Sequence, residues 1–207
     1  MLKPKYVLPF AGSYVLGGKL SQLNKYLGTS TWDVCAQELN FRGLTSTQTI
    51  LLRENDVFDI GTGESNCPYV PIDEIEMALY ANQISSMSYP YQSDAAPIID
   101  VLLDDIETAS RGMHDRMRRY SISSKTLVYL ELDGHLCQIL PVFKRLVCTA
   151  TSDTPSLTCS LDPRLMRRIL DRISHWNNAE IGCHIQFVRI PNSYEPDLHT
   201  ALQFLHL

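Results

Sequence analysis

Apolar residues recur at helical spacing in two stretches of the chain, residues 97–119 and the stretch that follows Asp162. In the first, one apolar stripe is separated from the acidic residues, which predicts a helix that buries a single face. In the second, Asp162 is placed to cap a helix and Pro163 suits its first position. The first stripe consists of Ile99, Leu102, Leu103, Ile106, Ala109, Met113 and Met117. The inner face of the second helix consists of Leu165, Met166, Ile169, Leu170 and Ile173.

Between these helices the pattern changes to that of strands. Residues 127–132 and 136–140 flank Asp133-Gly134, a pair typical of a two-residue hairpin turn, because such a turn needs positive φ at both central positions. Two further runs, 146–151 and 156–161, predict additional strands. The sequence therefore predicts a mainly antiparallel sheet covered by helices.

The last part of the chain combines a strand pattern with a helix pattern. Apolar residues alternate with more polar ones from residue 181 to residue 188, which predicts a strand with one buried face. A final helix from about Tyr194 is expected to bury Leu198, Leu202 and Leu205.

The amino-terminal part predicts shorter elements. A strand is expected at 5–10, then a helix whose leucines recur between Leu16 and Leu27, and then a short helix capped by Thr31. Short β runs are expected at 49–53 and 57–60. A helix near 72–86 is expected to turn Ile75, Ala78 and Leu79 inward, and residues 85–97, rich in Ser, Tyr and Pro, predict an exposed loop.

These elements define an α+β fold: a strand–helix amino-terminal part is followed by a helix-covered, mainly antiparallel sheet. We expect three regions, namely an amino-terminal segment over 1–63, a helical connector over 64–120 and an α+β domain over 121–207.

Composition narrows the class of protein. The chain has 207 residues, of which 44% are hydrophobic and 20% charged, which is ordinary for a globular protein with a core. Its formal net charge of −5 argues against a nucleic-acid partner. No apolar run approaches the roughly 18 residues of a membrane span, and nothing at the start looks like a signal peptide. We therefore expect a cytoplasmic protein, and six dispersed cysteines fit reduced thiols.

Candidate catalytic chemistry is sparse. The six histidines include no His-x-His or His-x-x-x-His spacing, and there is no nucleophile elbow or nucleotide-binding loop. Glu180 and His184 are four apart, but on a strand they would stand about 13 Å from each other. We therefore assign no catalytic residue, no metal ligand and no cofactor, and do not expect this chain to be an enzyme by itself.

One polar stretch stands out as a candidate ligand contact. His175, Trp176, Asn177, Asn178 and Glu180 follow one another closely, and His184 lies just beyond them. The same residues also suit a rigid, hydrogen-bonded turn that packs the indole, so a structural role is the alternative.

Four arginines share the outer side of the helix that follows Asp162. They are Arg164, Arg167, Arg168 and Arg172. We interpret them as the solvated flank of that helix, and a site for an anionic ligand is the alternative.

The amino-terminal motifs resemble the last part of a metallo-β-lactamase superfamily fold. The resemblance rests on residues 5–13, the Gly17-Gly18 helix after them and residues 51–59, and it is nearest to the branch of sugar-nucleotide N-acyl hydroxylases of the CMP-sialic-acid type. The tail, at 175–182 and 187–191, resembles carboxyl-terminal extensions of such proteins. Both ends are covered better than the middle.

That resemblance implies a metal site which this sequence does not carry. The superfamily holds its metal mainly through a His-x-His-x-Asp-His motif, and nothing in the chain matches it. A late histidine ligand is replaced by the stretch from Phe10 to Ser13, so no ligand is carried over. A cloned fragment, a split gene or a truncated relative would explain the difference.

The order of elements over 121–207 (hairpin, two strands, helix, strand, helix) resembles a sterol-carrier-protein-2 type of domain, which implies a cavity for apolar ligands. A likeness in element order is weak support for function.

The leading hypothesis is a non-catalytic accessory region of a metallo-β-lactamase-like protein. Its apolar surface would pack against a catalytic half or against a second copy, giving a dimer. The first alternative is a binding module for a lipid or another apolar small molecule, with an enclosed pocket between the sheet and the 97–119 helix. The second alternative is a small metal-dependent enzyme that uses the carboxyl-terminal histidines.

Overall fold

The structure is a computed structural model that describes residues 4–9, 14–28, 30–42, 47–71, 73–147 and 154–207. The chain divides into two compact units, Met1–Met87 and Ser88–Leu207. Helices and a mainly antiparallel mixed sheet confirm the predicted α+β class. In the described part of the chain, no helix combines the length and the apolar composition needed to cross a bilayer.

The first unit is built from short elements. In chain order they are β1 (Tyr6–Val7), a 3-10 helix (Gly18–Tyr26), α1 (Trp32–Phe41), β2 (Gln48–Thr49), β3 (Phe58–Asp59), β4 (Glu64–Ser65) and α2 (Glu74–Ile84). Strand β1 pairs with β2 in parallel, and β3 pairs with β4 antiparallel. The end of the predicted first strand and the turn after it, residues 10–13, lie outside the described residues.

Helix α1 begins where the sequence predicted, because the Thr31 hydroxyl accepts a hydrogen bond from the Val34 amide. Helix α2 also forms, but its predicted inner face is wrong: Ile75 and Leu79 are 70% and 65% exposed. Apolar residues occur on several sides of α2, so no single stripe selects one face. Ile84, at its carboxyl end, is buried against Gly17 instead.

In its described residues, the second unit has a five-stranded sheet, four α-helices and a short 3-10 helix. The elements are the 3-10 helix (Pro90–Ser93), α3 (Ile99–Arg119), β5 (Leu127–Leu132), β6 (His135–Leu140), β7 (Lys144–Leu146), β8 (Ser156–Ser160), α4 (Pro163–Leu170), α5 (Trp176–Ile181), β9 (Gln186–Ile190) and α6 (Pro196–Leu202). The strand order is β7-β6-β5-β8-β9, in which β5 and β8 are parallel and the other neighbours antiparallel. The later part of the predicted 146–151 strand is outside the described residues.

The core of this unit lies under α3. The predicted stripe is buried, with Ile106 and Met113 at 0% exposure and Leu102 at 1%. Strand β5 is buried at consecutive positions, Val128 and Tyr129 included, so both faces of this strand are covered. Helix α3 packs on β6, α4 and α6, and it lies in the second unit.

Two local predictions for this unit, the hairpin turn at Asp133-Gly134 and the helix cap at Asp162, are confirmed. Asp133 and Gly134 both have positive φ, at 50° and 81°, as the hairpin requires. At the start of α4 the Asp162 carboxylate accepts a hydrogen bond from the Arg164 amide, 2.9 Å away, and Pro163 occupies the first turn. The final helix buries its expected leucines, Leu198, Leu202 and Leu205.

The strand predicted over 181–188 begins too early. Residues from Trp176 to Ile181 form helix α5, and β9 starts only at Gln186. Trp176 and Ala179, three residues apart, are the buried pair, which is helical rather than strand spacing. The chain leaves α5 through Cys183, whose φ of 57° is left-handed, so the strand argument that separated Glu180 from His184 does not apply.

Two predictions about α4 also need correction. Ile173 is 67% exposed because α4 ends at Leu170, and Arg172, at φ 60°, turns the chain away from the helical face. The arginines are not simply a solvated flank. Arg167, for example, is paired with both Asp105 of α3 and Asp171, and its side chain is only 26% exposed.

Truncation of Ile106 is expected to destabilise the protein strongly. Ile106→Ala removes a side chain with 0% exposure, so the free energy of unfolding should fall by about 2 to 5 kcal/mol. The control is Val101→Ala on the same helix, where Val101 is 54% exposed and the change should stay within about 0.5 kcal/mol. Urea unfolding followed by circular dichroism measures both, and equal losses in the two variants would contradict the assigned face of α3.

Candidate functional site

A pocket of about 260 Å³ lies in the second unit, beside the 3-10 helix at Pro90–Ser93, the end of α4, the start of α5 and the residues just after α5. Its wall is formed by aromatic rings, by buried Leu165 and Ala179, and by polar groups. The lining residues are Tyr89, Pro90, Tyr91, Leu165, Arg168, Ile173, Ser174, His175, Asn178, Ala179 and His184.

Three rings that line this pocket pack against one another. Tyr89 and Tyr91 stack with centroids 5.6 Å apart and an interplanar angle of 18°. The His184 imidazole stands nearly perpendicular to both rings, at centroid distances of 4.5 Å from Tyr89 and 5.6 Å from Tyr91. Stacked and edge-to-face contacts are favourable for aromatic groups, so the three rings stabilise one another's orientation.

Tyr91 also holds His184 through a hydrogen bond. The phenol oxygen lies 3.2 Å from Nδ1 of His184. Burial raises the pKa of Tyr91 to about 12, and the negative charge of Asp162 acts in the same direction. The phenol therefore stays neutral at ordinary pH and is able to donate its hydrogen to the imidazole.

Two arginines of α4 bind residues 89–94, which we call the tyrosine segment. Arg168 donates to Asp94 over 2.8 Å, and the hydrogen bond from Arg168 lowers the pKa of that carboxyl. Arg164 is paired with Asp162 and donates to the carbonyl of Gln92 over 2.8 Å. Because both pairs are partly buried, they fix the 3-10 helix that carries Tyr91 against α4.

Gly182 sets the position of His184. A Cβ added at residue 182 would lie 2.9 Å from Cδ2 of His184 and 3.0 Å from the carbonyl oxygen of Asn178. The His184 amide donates to the Ala179 carbonyl over 2.8 Å, so the chain folds back tightly over the end of α5. Only a residue without a side chain fits this approach without rearrangement.

Of the candidate ligand contacts predicted from the sequence, His175, Asn178 and His184 meet at this pocket. The other candidates do not line this pocket: Trp176 is buried at 2% exposure, and Asn177 is exposed. Glu180 lies 2.7 Å from Nδ1 of His199, a histidine whose Nε2 accepts from Arg189 over 2.9 Å.

The two tyrosines of this site are not among the ligand contacts that the sequence predicts. The sequence predicts an exposed loop over residues 85–97, yet Tyr91 is 7% exposed. The available signal was the tyrosine content of that stretch, since a tyrosine offers a large apolar ring together with one polar group. The late histidines are dispersed, and over the residues that the structure describes no three His, Cys, Asp or Glu side chains gather in a way that could hold a metal ion.

Comparisons with known proteins add little to this description. No family model matches the sequence, and no curated protein matches it. Among solved structures, the chain has a weak likeness to sterol carrier protein 2 like 2 from Aedes aegypti, with a TM-score of 0.29 and 14% identity over 48% of this chain and 94% of that one. At that TM-score the likeness carries no argument, and nothing in the comparisons points to the metallo-β-lactamase superfamily.

Substitution at Gly182 tests how the imidazole is held. Gly182→Ala should displace His184 and destabilise the protein by about 1 to 3 kcal/mol, as overpacking does. Gly28→Ala is the control, because an added Cβ there meets no described atom within 4 Å. Chemical unfolding and the imidazole NMR signals of His184 report the two effects, and a Gly182→Ala protein with unchanged His184 signals would refute the close approach.

Proposed function

We propose that the second unit is a binding module for an uncharged, flat, apolar small molecule, held in the pocket of Tyr89, Tyr91 and His184. The observation that carries the proposal is the ordered aromatic wall facing an accessible pocket with Ile173 beside it. This is the predicted apolar-ligand alternative, with the site in a different part of the domain.

The lining supports a ligand with an apolar face. Leu165 and Ala179, each 4% exposed, supply aliphatic surface, and Ile173 is 67% exposed although it is a large apolar residue. A flat ligand in the pocket would stack on the aromatic wall and cover the isoleucine, and burial of apolar surface from both partners is favourable.

The charges around the pocket support an uncharged ligand. Arg168 is the cation of the lining, and Asp94 already neutralises it. Asn178, Ser174 and His175 also line the pocket and are able to form hydrogen bonds, which gives the usual mixture of groups in small-molecule sites.

The volume supports a small ligand. About 260 Å³ lies just below the roughly 300 to 1,000 Å³ of pockets for drug-sized molecules, so one or two fused rings fit better than a long acyl chain. The enclosed cavity expected between α3 and the sheet is occupied by core side chains: Leu102, Ile106 and Ile139 are at most 1% exposed.

A second candidate is the accessory role, in which the first unit is covered by a second copy of the chain. Among the described residues of that unit, the buried hydrophobic side chains are Leu16, Ile50 and Ile84. Helix α2 instead exposes Ile75 and Leu79, and exposed apolar surface of this kind is common at protein interfaces. No comparison adds support to this candidate.

Ile173 provides the test of the pocket. Ile173→Asn should weaken binding of N-phenyl-1-naphthylamine, an uncharged fluorescent probe, by roughly tenfold, because apolar contact is lost and a polar group gained. Ile181→Asn is the matched control, since Ile181 is also exposed, at 52%, and does not line the pocket. Equal probe affinity in both variants, or no binding by the unmodified protein, would reject the proposal.

The accessory role makes a separate prediction about association. Sedimentation velocity should then show concentration-dependent dimers that Ile75→Lys disrupts, because a charge cannot be buried without a partner. Ile98→Lys, at an isoleucine of similar exposure (73%, against 70% for Ile75), should leave association unchanged. A monomer at all concentrations would reject the accessory role and would leave the proposal of an apolar-ligand pocket unaffected.

A further inference from the structure

A second, smaller pocket of about 100 Å³ lies between the end of α4, the start of α5 and the chain after α6. The polar groups that line it come from Arg172, Ser174, His175, Trp176, Gln203 and His206. All of these side chains are able to donate hydrogen bonds, and no acidic side chain is among the residues lining the pocket.

Arg172 differs from the other arginines of the α4 region. Arg164, Arg167 and Arg168 are each paired with an aspartate. For Arg172, no described carboxylate lies within ion-pair distance, and the nearby Asp171 is engaged by Arg167. Among the described residues, Arg172 therefore takes part in no ion pair.

Trp176 also lines this pocket. Its side chain is 2% exposed, and its Nε1–H is buried without a hydrogen-bond partner among the described residues. The ring therefore lies beside any group bound in the pocket, and its resonances report whether the pocket is occupied.

We propose that this pocket binds a small oxyanion group, that is, the oxygens of a phosphate, a sulfate or a carboxylate. Arg172 supplies the charge, since its guanidinium matches two oxygens of such a group. The Ser174 hydroxyl and the Gln203 amide supply neutral donors to the remaining oxygens. This proposal stands independently of the aromatic pocket, although Ser174 and His175 line both.

The indole of Trp176 provides the readout. The chain has two tryptophans, so Trp32→Phe leaves a single indole N–H resonance in a ¹⁵N–¹H spectrum. Titration of that full-length protein with orthophosphate, sulfate or acetate, at ionic strength held constant with sodium chloride, should shift this resonance saturably. A response to phosphate and sulfate assigns a tetrahedral oxyanion, and a response to acetate alone assigns a carboxylate.

Arg172→Asn is the matching variant, because asparagine tolerates the left-handed φ of 60° at this position. It should weaken anion binding by at least about tenfold. Arg119→Gln removes an exposed arginine of α3 outside the pocket and should leave the affinity unchanged. Gln203→Leu, at an exposed position, should weaken binding less than Arg172→Asn.

Three results would overturn the proposal. They are an indole resonance that does not move with any of the three anions, an equal shift with chloride alone, and full affinity in Arg172→Asn. The dispersion of the same spectra shows whether each variant is folded, so loss of structure is distinguished from loss of the site.

Discussion

Burial of one face of α3 against the five-stranded sheet is the interaction on which the second unit depends. Ile106 and Met113 are fully buried there, and the burial of apolar surface is the main favourable term in folding. The same helix reaches α4 through the Arg167–Asp105 pair and reaches the end of the chain through the bond from Arg116 to the Phe204 carbonyl. The elements that carry both pockets are thus positioned by α3, which itself lines neither.

From that core, a short series of contacts leads to the aromatic pocket. Arg164 and Arg168 extend from α4 to the tyrosine segment, and each is neutralised by an aspartate with which it forms an ion pair. The pairing of these arginines is consistent with the uncharged ligand that we propose for the aromatic pocket. Arg172 lies beyond the end of α4, and among the described residues it has no such partner, which supports the anion that we propose for the neighbouring pocket. The two proposed ligands differ in charge because the arginines beside the two pockets differ in pairing.

The parts of the fold that sequence patterns predicted are those in which local and tertiary requirements agree. The stripe of α3, the Asp133-Gly134 turn and the Asp162 cap each have a local physical cause that the final packing reinforces. The prediction for the stretch after residue 175 was wrong because its apolar residues fit a period of two as well as a short helix. Burial of Trp176 stabilises the helix, and this burial cannot be read from a single sequence.

The candidate site was predictable in part for the same reason. His175, Asn178 and His184 were found by their composition and proximity, whereas Tyr91 was not, because its burial depends on arginines more than 70 residues away in the chain, as in the Arg164–Gln92 and Arg168–Asp94 contacts. Contacts over such separations arise only once the domain has folded. The roles of the arginines could not be predicted for the same reason. Arg168 and Arg172 differ in whether they form an ion pair, and their positions in the sequence do not show this difference.

We propose that the rings of Tyr89, Tyr91 and His184 form the wall on which a flat, uncharged ligand stacks. Intermolecular nuclear Overhauser effects between bound N-phenyl-1-naphthylamine and assigned protein protons locate the bound ligand. We expect contacts from the probe to the ring protons of these three residues and to the methyl groups of Ile173. Contacts confined to other surfaces, such as Ile75 and Leu79 of α2, would contradict it.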